Sequence, residues 1–144
     1  MKKIIIDNNL ICDVLVETPD ADLLILSEAV LLGKHYKVQL VLGGRLEEEY
    51  LLHKNRRGIY LELARAGRLQ KYPKDIVCAD EAVVAALNIK SDDPHVLALA
   101  RVSGARVLCS LDKPLHDDFC NKTIIDNPRG KIWQNDAHKH LLRG

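Results

Sequence analysis

Apolar positions in this chain fall alternately into short continuous runs and helical stripes. Residues 3–6 make an apolar run that stops at Asp7, the pattern of a strand buried on both faces. Leu10, Ile11, Val14 and Leu15 then recur at helical spacing over 9–16, and Pro19 closes that segment. A second helix is predicted over 21–35, with Leu24, Ser27 and Leu31 on one face and Ile25, Ala29 and Leu32 on the next. Residues 38–42 read as a strand broken by Gly43-Gly44, and helices follow over 45–53 and 57–69. Pro73 interrupts the chain. Ile76-Val77 reads as a short strand and 80–87 as a helix. Asp93-Pro94 opens another helix, the acid capping and the proline in the first turn, and that helix runs to Ser103 and stops at Gly104. A strand over 106–109, a short helix over 115–119 and a last strand over 123–125 complete the series, before Pro128 and Gly130 turn the chain into a tail containing Trp133. Strands alternating with helices predict an α/β fold. The expected form is a three-layer α/β/α sandwich around a mainly parallel sheet of about four or five strands.

Composition narrows the class. At 144 residues, 47% hydrophobic and 28% charged, the chain suits a single domain over 1–144, with 129–144 as a basic C-terminal extension. No apolar run approaches the length that spans a bilayer, and no signal-peptide stretch follows Lys2-Lys3, so a cytoplasmic protein is expected. The four cysteines, Cys12, Cys78, Cys109 and Cys120, form no C-x-x-C pair and read as reduced thiols. The formal net charge of +1 conceals an uneven distribution. Residues 54–74 hold seven bases against Glu62 alone, a local net of +6, and the stretch from Arg129 adds +3. The remainder therefore carries −8, which describes an acidic body with two basic stretches. Those stretches are either solvated helix faces or a rim that holds a polyanion.

In a parallel sheet, ligands collect outside the carboxyl ends of the strands, and acids occupy that position here. Asp7 follows the first strand directly. Asp112 follows the 106–109 strand in Ser110-Leu111-Asp112, and Asp93 opens the helix leading into that strand. Glu49 shares a helical stripe with Leu46, Tyr50 and His53, an acid on a face that should turn inward. Each has a plainer role as a cap, a turn residue or a solvated acid. Together at one sheet end they would repel one another unless a cation were bound. Carboxylate oxygens suit hard divalent ions such as Mg²⁺ or Mn²⁺. His138 and His140, two residues apart, oppose each other on a helix and make no metal pair. His95 reads as an exposed first-turn histidine. Trp133 reads as packing on the domain or a partner.

These residues carry a family resemblance. Asp7-Asn8-Asn9-Leu10-Ile11 after a strand resembles the opening motif of the PIN-domain nucleases. The segment Asp93-Pro94-His95-Val96-Leu97-Ala98-Leu99-Ala100, then Gly104-Ala105 and a strand into Ser110-Leu111-Asp112-Lys113-Pro114-Leu115, resembles that family's central block. Glu49 matches the place of its glutamate, with Glu48 as the neighbouring rival. The resemblance spans roughly residues 3–125. Asn8, Gly43 and Pro114 depart from the pattern, and Asp117 and Asp118 are the acids that follow Pro114.

The resemblance implies a metal-dependent endoribonuclease with Mg²⁺ or Mn²⁺ on Asp7, Glu49, Asp93 and Asp112, supported by Asn9 and Ser110. RNA would be held by Arg56, Arg57, Arg65 and Arg68, with Tyr60 or Tyr72 stacking on bases or simply packing. A toxin paired with an antitoxin protein is one form of that activity. The crowded 23–32 segment suggests a homodimer. An alternative function is a PIN-like module that binds RNA or protein without cutting. A phosphotransfer fold is a third reading, weakened because the first motif lacks a D-x-D pair.

Overall fold

The computed structural model describes residues 1–52 and 57–143. Five strands, β1 (Lys2–Ile6), β2 (Val38–Gly43), β3 (Leu69–Tyr72), β4 (Val107–Cys109) and β5 (Lys131–Trp133), form one sheet in the order β3-β2-β1-β4-β5. Every pairing is parallel. Ile4, Ile5 and Ile6 are all fully buried. Successive strand residues point to opposite faces, so both faces of β1 are covered, as parallel sheets require. The covering helices are α1 (Asn8–Val14), α2 (Leu24–Leu32), α3 (Gly44–Leu51), α4 (Arg57–Arg65), α5 (Lys74–Ala85), α6 (Pro94–Ser103) and α7 (Lys113–Phe119). Among the described residues, none is long and apolar enough to cross a membrane.

Three expectations change. The stretch 69–72, taken partly as helix, is the edge strand β3 with Gln70 and Lys71 exposed. Ile76-Val77 is not a strand but the first turn of α5, whose buried Val77, Glu81 and Val84 recur at helical spacing. Residues 123–125 form turns rather than a strand, with the Ile124 and Ile125 amides both donating to the Asn121 carbonyl. The fifth strand lies instead in the segment read as an extension, where β5 pairs with β4 and Trp133 is fully buried. That segment continues as a 3-10 helix, Asp136–Leu142, tied to α2 by an Asp136 carboxylate accepting from the Ile25 amide at 3.4 Å.

Two glycines shape the approach to the site. Gly44 opens α3 at φ +58, and a side chain there would meet Val77 Cγ1 at 2.9 Å. Gly130 crosses the end of α7 so closely that an added Cβ would lie 2.2 Å from the Phe119 carbonyl oxygen. Neither position tolerates a larger residue without movement.

Candidate functional site

The strand order reverses direction between β1 and β4, and in such sheets the crevice outside that point is where ligands bind. Ile6 and Cys109 are the last paired residues, so Asp7 and Ser110 stand side by side just beyond them. The Asp7 amide donates to the Cys109 carbonyl at 2.8 Å. Its carboxylate, only 7% exposed, accepts from the Asn8 amide at 2.8 Å and from the Ser110 hydroxyl at 2.8 Å. The same hydroxyl accepts from the Asp112 amide at 3.1 Å. One serine thus links the ends of both strands, and His116 Nε2 reaches its carbonyl at 2.5 Å. Asp7 and Asp112 occupy the N-cap positions of α1 and α7, so their placement follows from the two helix starts.

Asp93 sits at the N-cap position of α6 but makes no capping bond. Its carboxyl is pushed up to about 6, first by burial and then by the charge of Asp7; the nearby His95 opposes the rise, while a hydrogen bond with Asp112 and its charge add to it. Asp7, Asp93 and Asp112 therefore feel one another at one sheet end. Asp118, buried, accepts from the Lys90 amide at 2.9 and 3.1 Å and the Ser91 amide at 2.8 Å, which fixes the loop that delivers Asp93. Asp117 pairs with Lys90 on the surface. Neither acid after Pro114 joins the site.

Glu49 and Glu48 part company. Glu48 pairs with Lys74 in solvent, which holds its carboxyl below the usual range. Glu49 meets His95 Nε2 at 2.7 Å. The expectation of an exposed His95 is wrong: it is 7% exposed and bound to Glu49. The signal was available, because residues 96–100 are apolar without a break and all are fully buried. A helix with no polar face leaves its first-turn histidine facing protein. Arg45–Glu81 at 3.1 Å ties α3 to α5, and Arg101–Asp80 at 3.1 Å ties α6 to α5. These pairs hold the two helices that carry Glu49 and Asp93.

Among the described residues, no three His, Cys, Asp or Glu side chains form a ready-made metal cage. The acids at this sheet end, Asp7, Asp93 and Asp112, offer oxygen donors only, and Asp7 and Asp112 lead out of the neighbouring strands β1 and β4. That chemistry fits Mg²⁺ or Mn²⁺, since Mg²⁺ keeps several waters and takes only one or two carboxylates.

The other sequence-derived residues separate. Asn9 is exposed on the first turn of α1. Arg57 opens α4 near the site edge and donates to the Leu51 carbonyl at 3.3 Å. Arg65 is exposed at the last turn of α4, and Arg68 precedes β3 at the N-terminal end of that edge strand. Arg68 is spent on the Val30 and Leu31 carbonyls at 3.1 and 3.0 Å, at the end of α2. The basic stretch is therefore no single rim, and Arg68 has no place in one. Arg56 lies outside the described residues. Tyr60 is buried and stacks on Tyr50 at 5.6 Å, while the Tyr72 hydroxyl accepts from Lys3 Nζ at 2.7 Å and its ring carries that ammonium at 5.5 Å. Both tyrosines pack. No protein-family model, curated protein or solved structure gives a match to this chain.

Proposed function

We propose that this protein is a Mg²⁺- or Mn²⁺-dependent endoribonuclease of the PIN type. The observation that supports this best is the convergence of Asp7, Asp93 and Asp112 at the point where the strand order reverses, with Ser110 bonded to both flanking acids. A bound ion supplies an acidified water and neutralises charge developing on a phosphodiester. Asp7 and Asp112 would hold it directly, with Asp93 orienting its waters. The Ser110 hydroxyl and the Asn8 amide orient the Asp7 carboxylate, each taking one oxygen. The His95–Glu49 pair keeps Glu49 beside the cluster as an orienting group rather than a direct ligand.

The test is cleavage of a labelled single-stranded RNA with Mn²⁺, with Mg²⁺ and with EDTA, by the wild type and by Asp7→Asn and Asp112→Asn. Metal-dependent cleavage lost in both variants is the expected result. Undiminished cleavage in both would overturn the assignment. A second reading, a PIN-like module that binds without cutting, is favoured by the engagement of Glu49 with His95, which removes one of four expected ligands. It predicts metal-independent RNA binding with no cleavage by the wild type.

A further inference from the structure

A cavity of about 220 Å³ opens between the end of α3, the outer face of α4 and the edge strand β3. Its walls are Leu51, Tyr60, Leu61 and Leu69, and its cations are Arg57 and Lys71. No acid lines it. Leu51 and Leu61 are 40% and 53% exposed, so apolar surface at the slot stays open to a ligand. Lys71 is exposed and makes no ion pair among the described residues. Arg57 spends one bond on the Leu51 carbonyl, and a guanidinium has five donors to offer. The slot thus joins an apolar interior to two cations, which is the chemistry of a nucleotide: a flat base with a charged phosphate on each side.

The slot also connects to the cluster. Tyr60 stacks on Tyr50 at 5.6 Å with the rings 20° apart, and the Tyr50 hydroxyl donates to the carbonyl of Ile6, the residue before Asp7. Two rings therefore separate the slot from the strand end that carries the first aspartate. We propose that this slot receives one unpaired nucleobase of a single-stranded RNA, with Arg57 and Lys71 on the flanking phosphates. The proposal rests on the ribonuclease reading for its substrate class and adds the place where the strand is gripped away from the acids.

Binding of a labelled octaribonucleotide in EDTA, where no cleavage occurs, isolates the slot from the metal chemistry. Ala64, exposed on α4 and part of the slot lining, offers a plug: Ala64→Phe fills the cavity without changing charge. Lys71→Gln removes a cation from an exposed edge position. Each should weaken binding about tenfold, and Lys71→Gln should also flatten the dependence of log affinity on log salt by about one unit. A single abasic position in the octamer should cost the wild type about tenfold and cost Ala64→Phe nothing further.

Wild-type affinity in both variants, or an abasic penalty that persists in Ala64→Phe, overturns the proposal. So does binding of a short acidic leucine-containing peptide in place of the octamer, lost in Ala64→Phe, because the slot then serves a protein partner. Cleavage with Mn²⁺ separates the two failures. If Asp7-dependent cleavage persists while the slot variants bind normally, the slot is wrong and the ribonuclease stands. If cleavage is absent while the abasic effect holds in EDTA, the ribonuclease reading fails and the slot stands.

Discussion

Ser110 does more for the site than its size suggests. Its single hydroxyl donates to Asp7 and accepts from the Asp112 amide, and it is 2% exposed. Ser110→Ala leaves a buried carboxylate oxygen without its donor, a loss of about 1–3 kcal/mol in folding stability, measurable by urea denaturation. Because an orienting partner of a ligand is lost, metal-dependent cleavage should also fall about 10- to 100-fold, read from an Mn²⁺ titration. Asp93 adds a pH dependence. Its carboxyl titrates near 6 in the folded protein, against 3.8 as the ordinary value, so the folded state holds that proton more tightly than the unfolded chain does. Its contribution to stability is then fully present below about pH 4 and is lost as pH rises through 6. The melting temperature of the wild type should fall relative to Asp93→Asn between those limits, and Mn²⁺ should recover it above pH 6 in the wild type alone. Thermal denaturation at about pH 4 and pH 7, with and without Mn²⁺, checks both statements.

Helix starts and strand ends made the three aspartates legible, because an acid that ends an apolar run or opens a capped helix is placed by backbone geometry alone. The burial of His95 was readable from the unbroken apolar run after it, but its pairing with Glu49 needed tertiary information, since only the packing of α6 against α3 decides which of Glu48 and Glu49 turns inward. Among the elements, the apolar central strands were readable and the edge strands were not. β3 spells Leu69-Gln70-Lys71-Tyr72 and β5 spells Lys131-Ile132-Trp133. Each has solvent on one side and no run of apolar residues, which is how sheet edges avoid pairing with other chains. Ile124 and Ile125 misled in the opposite sense: both are buried, yet their amides close a turn. Between β2 and α3 the backbone needs Gly44 in the left-handed region. Gly44→Ala should cost about 1–2 kcal/mol from that conformation, in addition to crowding against Val77. Because α3 carries Glu49, its cleavage activity should fall along with its denaturation midpoint.

At the scale of the whole molecule, the balanced charge tally is a sum over unlike regions. Arg57 and Lys71 lie on α4 and the edge strand β3, while Arg68 braces the end of α2. α2 leaves Leu24 and Leu32 exposed at 44% and 58%, the surface on which a homodimer would rest. Light scattering of the wild type and of Leu32→Lys tests that association, with a monomeric mass expected for the variant.

The pairing of β1 with β4 carries a kinetic consequence. Ile4 pairs with Val107 across most of the chain, and such distant contacts form slowly because a long loop must be closed to make them. Until then Asp7 and Asp112 lie on unconnected segments, and neither can share a cation with the other. Trp133 is the only tryptophan, and it pairs with Cys109 of β4 and is fully buried, so its fluorescence reports formation of the β4 side of the sheet. In refolding experiments RNA cleavage should return no sooner than that signal. The site is latent by topology, and partly folded chains would carry no nuclease activity even with all its residues present.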